Sequence, residues 1–309
     1  MSEKLLGFLL CGAAMVTVGS TVVASKVIGS GMPPFTAAAM RFALALPVFL
    51  LLMRLARQGL PLPDRRDGVL LMTQAALGSV GYMLLLVLGL RFTAAADAGV
   101  VAGSLAAMVA LLAWLLLRER PSHTQFGAIG LASAGLALVT AGGTAEVLRV
   151  DVAALIGNLL VLAAVACEAA FLLLNKRLRV PVPPLALSTV MTGLGLVLAA
   201  PFALLERPWE ADLAAPALLA VLWYAMVPTV GGFLLGYAGA ARLTGAQAAL
   251  ATAILPLSAV TLAALVLGEP ISLPQGIGMA FVLAAVALGA RDRPRSVPRV
   301  PPAVTERRS

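Results

Sequence analysis

The sequence predicts an all-α integral membrane protein: ten transmembrane helices arranged as two inverted five-helix repeats. Composition is the first reason. Of 309 residues 61% are hydrophobic and 12% charged, at a mean hydropathy of +1.00, more apolar surface than a water-facing globule hides. The second is that apolar runs of membrane length recur along the chain. The third is self-similarity: residues 150 positions apart match at Gly7/Gly157, Lys26/Lys176, Pro33/Pro183, Pro34/Pro184, Arg57/Arg207, Gly89/Gly239, Glu119/Glu269, Ser122/Ser272 and Gln125/Gln275. These pairs weigh more than the Leu and Ala coincidences that such a composition produces by chance.

Crossing about 30 Å of hydrocarbon takes about 20 helical residues. Runs of that order fall at 5–24, 35–53, 69–90, 98–117, 125–141, 152–174, 185–205, 218–240, 246–267 and 273–289. The first follows Met1-Ser2-Glu3-Lys4 and has some look of a signal peptide. No small-x-small cleavage site follows cleanly, however, and the run aligns with 152–174, so it is read as a span. Turn chemistry separates the runs at Gly31-Met32-Pro33-Pro34, 59–64, Gly142-Gly143 and 181–184. Residues 1–142 are therefore expected to form the first repeat and 152–290 the second. The stretch 291–309, rich in Pro and Arg, has too little apolar content to fold alone and is expected to be a disordered basic cytoplasmic tail.

An odd number of spans per half turns the second copy upside down, the logic of secondary transporters. With both termini cytoplasmic, the inner segments collect seventeen of the twenty-two Lys and Arg residues and the outer loops hold Lys26, Arg91, Arg149 and Arg207; this asymmetry sets the orientation. Equivalent loops also exchange charge, as loops that change sides should. Arg118-Glu119-Arg120 becomes Gly268-Glu269-Pro270, and lone Lys26 becomes Lys176-Arg177-x-Arg179.

The net charge of +8 sits in short loops and the tail, where topology and anionic lipid account for it, so nucleic acid is not an expected partner. Cys11 and Cys167 lie inside apolar runs and are read as packing residues. One histidine, His123, leaves no His-based metal cluster, and no Gly-rich phosphate loop occurs, so neither a metal nor a cofactor is expected. Gly99-x-x-x-Gly103, mirrored by Ala249-x-x-x-Ala253, lets helices approach closely; packing within the chain is the default and a homodimer seam the alternative.

Three ionisable residues interrupt apolar runs: Arg41, Asp97 and Glu168. A charge at mid-span costs about 2.5–3.5 kcal/mol on insertion scales, so each should face protein or water. Arg41 lies about 10 Å beyond Pro34 along a helix, and Asp97 stands at matching depth. The second copy loses both charges together, as Met191 and Gln247. The expectation is a buried Arg41–Asp97 pair, with an outer gate or an anion-receiving Arg41 as the functional alternatives. Glu168 has no basic residue at its depth in another span. A carboxyl in low dielectric resists ionisation and can exchange a proton near neutral pH, so this is the expected site of proton coupling or substrate binding; a hydrogen-bonded structural Glu is the plain alternative. Gln74, Tyr82, Asn158, Tyr224, Thr229 and Tyr237 put polar groups on spans three, six and eight and are the candidates for a cavity lining, although helix-packing roles suit any one of them.

Several motifs carry a resemblance: Pro33-Pro34-Phe35-Thr36 with Arg41-Phe42, the stretch 89–95 opening span four, Leu-Leu-Arg-Glu119-Arg and Leu-Gly-Glu269-Pro closing spans four and nine, and Leu255-Pro256. In this order, within a duplicated ten-span chain, they resemble EamA-type transporters of the drug/metabolite transporter superfamily over about residues 5–290. The resemblance implies a bacterial inner-membrane carrier for a small metabolite, often an exporter of amino acids or related compounds, with a cavity opening alternately to each side. Two departures stand out. Ala106 occupies the place of Pro256, so the family kink is expected in only one copy. Glu168 replaces a residue that is often aromatic or apolar, in the first helix of its repeat, where small multidrug resistance exporters keep their coupling glutamate.

The function expected is secondary active transport of a small, amino-acid-like metabolite by alternating access, as proton-coupled export. Uptake or exchange on the same scaffold comes next. A membrane-embedded enzyme would need clustered nucleophiles or metal ligands, and a non-transporting scaffold would show no response to a substrate.

Overall fold

The computed structural model describes residues 2–60, 63–117, 123–141, 152–175, 177–179, 182–210, 213–243 and 251–289. The tail 291–309, Arg118-Glu119-Arg120, the Gly142-Gly143 break, Lys176, Gln247 and Ala249 lie outside them. Helix α1 spans Glu3–Gly31, α2 Pro34–Leu55 and α3 Arg65–Gln74; a π-helical stretch, Ala75–Gly81, joins α3 to α4, Tyr82–Gly89. Helices α5 (Ala95–Ala102), α6 (Leu105–Leu117) and α7 (His123–Ala141) complete the first half. The second contains α8 (Val152–Asn175), α9 (Pro184–Leu205), α10 (Ala215–Tyr224), a second π-helical stretch (Ala225–Gly232), α11 (Phe233–Ala240), α12 (Ile254–Leu267) and α13 (Leu273–Gly289).

Among the described residues, six helices are long and apolar enough to cross a membrane, and the bent pair α5–α6 makes a seventh. Three shorter apolar helices, Phe126–Leu136, Ile254–Leu267 and Leu273–Leu288, stand where the fifth, ninth and tenth runs were expected. The protein is thus an all-helical, multi-pass membrane protein.

Local chemistry explains the ends. Pro33-Pro34 and Pro183-Pro184 start α2 and α9, where a missing N–H costs nothing. Ser2 and Asp64 cap α1 and α3, their side-chain oxygens accepting from the N–H groups of Leu5 and Asp67. Gly268, at φ 69°, ends α12 in the left-handed conformation that glycine adopts without strain. Arg57 and Arg207, 150 positions apart, are the two non-glycine residues with positive φ among the described residues, at 54° and 48°. Both follow long helices, so even an unfavourable backbone choice is repeated.

Packing follows the same repeat. Helix α2 lies on its counterpart α9, and α7 on α13. Helix α1 packs against α10, α11 and α12, while its counterpart α8 packs against α3, α4 and α6.

A kink in only one copy, expected from Ala106 and Pro256, is not what forms. Helices α5 and α6 meet at 49° across Gly103-Ser104, and the second copy turns at Thr252-Ala253, one position earlier in the repeat and just before α12. Ser104 Oγ donates to the Val101 carbonyl at 2.7 Å, and a Gly-Ser pair bends a helix without proline. The two bends touch: a Cβ on Gly103 would lie 2.8 Å from Cβ of Pro256 and 2.5 Å from Cγ1 of Val282. Gly99 likewise sits against Ala259 and Val260. The small-residue seam of the first copy is therefore spent inside the chain.

Candidate functional site

Two adjoining cavities occupy the centre of the bundle. One, of about 180 Å³, is bounded by α1, α2, the two π-helical stretches and α8. The other, of about 290 Å³, continues from Arg41 and Glu168 toward Asn175, Ser188 and Tyr237. Arg41, Gly78, Glu168 and Thr229 line both. Both π-helical stretches reach the cavity, through Gly78 in the first and Pro228 and Thr229 in the second; such local widening of a helix recurs at functional sites.

The lining is drawn from equivalent positions of the two copies. Val18 and Glu168, Gly78 and Pro228, and Leu105 and Leu255 are pairs at the 150-residue offset in the smaller cavity. Arg41 and Met191, Phe42 and Thr192, and Ser79 and Thr229 are such pairs in the larger one. Each copy brings one charge to a place where its counterpart brings an apolar side chain.

Arg41 does not pair with Asp97. Its Nε donates to Oγ1 of Thr229 at 3.1 Å and its Nη1 to Sδ of Met83 at 3.5 Å. Its guanidinium carbon stands 4.4 Å from the ring centroid of Tyr224 and 4.9 Å from that of Phe42, favourable cation–π geometry. Asp97 instead accepts from Nε2 of Gln275 at 2.6 Å. The matching depth expected for them does not form: Asp97 stands in the first turn of α5, beside the Glu269 cap, whereas Arg41 lies seven residues beyond the start of α2, on the central cavity. Among the described residues the ion pairs are Arg179–Asp64, Arg207–Glu210 and Arg242–Glu3; none includes Arg41, Asp97 or Glu168.

Of the other candidates, Glu168, Tyr82, Tyr224, Thr229 and Tyr237 line the cavities. Gln74 and Asn158 do not. Gln74 is fully buried and its Nε2 donates to the Phe171 carbonyl at 3.2 Å, tying α3 to α8. Asn158 accepts from Oγ1 of Thr93 at 2.8 Å. Each amide thus bonds a neighbouring helix or its loop, as buried amides tend to, although Oε1 of Gln74 has no partner among the described residues; a polar residue in a span signals that need as readily as a cavity. Sequence reasoning missed Thr21, Ser188, Thr192 and the cluster Phe42, Phe49, Phe171 and Phe233. The 150-residue offset applied to Glu168, Arg41 and Thr229 would have pointed to Val18, Met191 and Ser79.

The two ends of the bundle differ. Where α1, α4 and α9 end and α2 and α5 begin, carboxylates cap helices of the other copy. Glu206 accepts from the backbone N–H groups of Phe35 (3.1 Å) and Thr36 (2.7 Å) and from the Thr36 hydroxyl. Glu269 accepts from the N–H groups of Ala95 (3.1 Å) and Ala96 (2.9 Å). Negative charge at a helix N-terminus is favourable, by about 0.3–1 kcal/mol when exposed and more when partly buried. Lys26, expected in a loop, lies within α1, and its Nζ donates to the carbonyls of Leu90 (2.7 Å) and Thr93 (2.6 Å). The larger cavity runs toward the opposite end, where Asp64, bridged to Arg179, has its carboxyl held below the ordinary carboxylate range, chiefly by the Asp67 N–H.

A duplicated helical bundle with a polar cavity on the seam is the architecture of a membrane carrier. The EamA-like transporter family model matches residues 5–141 and again 155–290. The chain belongs to the EamA-like transporter family, within the drug/metabolite transporter superfamily, a family of transporters and not of enzymes. It is similar to the uncharacterized transporter YetK of Bacillus subtilis (strain 168), at 30% identity over 93% of this chain and 87% of that protein. It is also similar to the uncharacterized transporter YwfM of the same organism, at 28% identity over 63% of this chain and 66% of that protein. A solved crystal structure, described only as that of a protein, matches 94% of this chain and 99% of its own length with a TM-score of 0.64 and 20% identity. That likeness concerns the fold.

Proposed function

We propose that this transporter is a secondary active carrier that moves a small, amino-acid-like metabolite across the bacterial inner membrane by alternating access, as proton-coupled export. In this reading ten crossings form two inverted five-helix repeats, 1–142 and 152–290, with both termini cytoplasmic. The observation that carries it is the cavity itself, walled by repeat-equivalent positions and running toward one end of the bundle while carboxylate caps join the copies at the other. Inverted copies rocking about such a seam expose one site to each side in turn. Positive-inside charge supports cytoplasmic ends, which makes this form inward-facing.

Glu168 is the proposed coupling group, binding a proton or the substrate in competition. Support comes from its position: a half-buried carboxylate on the wall of both cavities and outside every ion pair among the described residues. A charge so placed is costly unless it serves a solute or a proton. Tyr82, Tyr224, Thr229 and Tyr237 supply the polar surface around it.

The test is purified protein reconstituted in vesicles, loaded with an amino-acid panel and challenged with a pH gradient. Gradient-driven release of a subset, lost in Glu168→Gln with the melting temperature retained, is the expected result. Gradient-dependent flux unchanged in that variant would overturn the coupling role. Single cysteines at Arg57 and Arg207, in a background without Cys11 and Cys167, should label from opposite faces; labelling from one face would overturn the inverted arrangement.

A further inference from the structure

Arg41 is a permanent cation set into a cavity wall inside an apolar bundle. Its partners are a threonine hydroxyl, a thioether sulfur and two aromatic faces. None of these carries a negative charge, and sulfur is a weak acceptor. The Thr229 hydroxyl donates to the Tyr224 carbonyl at 2.8 Å, which turns its lone pair toward Nε of Arg41. The guanidinium is thus gripped at its Nε edge and stacked on the Tyr224 ring, an arrangement that fixes its plane and leaves N–H donors on the cavity side. Glu168 shares both cavities with it but forms no ion pair with it. A partly buried guanidinium fixed in the cavity wall, with no ion-pair partner among the described residues, resembles one half of a charge-assisted fork.

Resting on the carrier reading above, we propose that Arg41 is the receptor for a carboxylate on the transported solute, and that the solute's apolar body lies along the phenylalanine wall of the larger cavity. Phe42, Phe49, Phe171 and Phe233, four of the ten phenylalanines in the chain, line that cavity with Arg41. They form an ordered surface: the Phe49 and Phe233 rings meet edge to face at 5.6 Å, and Phe233 packs on Tyr237 at 4.5 Å. A phosphoryl dianion suits the site poorly, because Arg41 is the one cation among the described lining residues. A monoanion of fragment size matches both the single charge and the volume. An amino group on such a solute would face Glu168 across the cavity.

The experiment measures binding of 3-phenylpropionate and of its neutral isostere 3-phenylpropionamide to the full chain in lipid nanodiscs, by calorimetry. The parent is compared with Arg41→Gln, Arg41→Lys and Arg91→Gln; Arg91, an exposed cation bonded to the Gly29 carbonyl, is the control. The carboxylate should bind the parent about tenfold tighter than the amide, as a charge-assisted bond requires. Arg41→Gln should erase that preference, Arg41→Lys should keep part of it, and Arg91→Gln should leave it intact. Equal binding of acid and amide, binding of neither, or a preference that survives Arg41→Gln would each overturn the subsite. If Arg41→Gln does not fold, Arg41→Lys decides, since loss of the fork should lower the preference several-fold. Vesicle flux separates the two readings. Carboxylate binding with no passage in any variant defeats the carrier and keeps the subsite, whereas unchanged carboxylate flux in Arg41→Gln defeats the subsite and keeps the carrier.

Discussion

The two copies share a backbone and divide the chemistry. Helices α2 and α9 occupy the same register, both copies carry a π-helical stretch at the same offset, and Arg57 and Arg207 repeat an uncommon positive φ. At the cavity the likeness stops. Arg41 faces the seam from the first copy where the second has Met191, and Glu168 faces it from the second where the first has Val18. Duplication supplies a two-walled hollow at low cost, because matching helices already pack. Divergence then gives each wall one sign of charge. The difference teaches that symmetry marks the scaffold of this transporter, and departures from symmetry mark the candidate site proposed above.

The largest effect should come from removing that asymmetry. Glu168→Val makes the second wall match the first, and coupled flux should fall at least about tenfold, a rise of roughly 1.4 kcal/mol or more in the barrier. Val18→Glu in the same background returns a carboxylate to the equivalent position and should restore part of the proton dependence. No recovery there, with both proteins folded, would mean that the two walls are not interchangeable. Vesicle flux at two pH values reads both.

Next in size are the glycines where the copies meet. Valine at Gly103 would run into Pro256 and Val282, and at Gly78 into Phe171, whose Cβ lies 2.6 Å from an added Cβ. Each should destabilise by about 1–3 kcal/mol through overpacking, read as a lowered melting temperature. Gly130, with nothing near its Cβ position, is the control and should tolerate alanine.

A smaller and more discriminating effect concerns Arg41 and Asp97. Because they contact different partners, Arg41→Met and Asp97→Gln should change stability additively, within about 0.5 kcal/mol. A double change milder than the sum would revive the pair. Removing one carboxylate cap, by Glu206→Gln, should cost about 0.5–2 kcal/mol and raise the labelling rate of a cysteine placed at Thr36.

The smallest effect belongs to the exposed end. The Asp64 carboxyl is held low, so its contribution is present at neutral pH and is lost as pH falls through its lowered folded-state value. Asp64→Asn should leave the melting temperature near pH 7 close to that of the parent, because solvent screens the exposed Arg179 partner. Whatever difference exists should vanish on strong acidification. A large neutral-pH loss would point to a hidden role for that bridge.

Legibility in the sequence varied with the kind of interaction. The positions of α2 and α9 were readable because proline pairs start them, whereas the bend at Gly103-Ser104 was missed, because the expected kink rested on proline alone. Glu168, Tyr82, Tyr224, Thr229 and Tyr237 stood out because a polar group in an apolar run has few reasons to be there. Gln74 and Asn158 stood out for the same reason and turned out to bond the Phe171 carbonyl and the Thr93 hydroxyl, since a buried amide takes a carbonyl or hydroxyl within reach for at least one of its groups. The phenylalanine wall gave no signal, because an aromatic residue facing a cavity and one facing lipid look the same in a hydrophobic span.

What the sequence determined by itself was membrane residence and the duplication, since hydropathy and spacing act along the chain in one dimension. Only the tertiary structure decided which way each helix turns, and hence that Arg41 meets Thr229 and Tyr224 while Asp97 meets Gln275. Rotation about a helix axis is set by close packing at glycines such as Gly99 and Gly103, and that packing depends on atoms more than a hundred residues away.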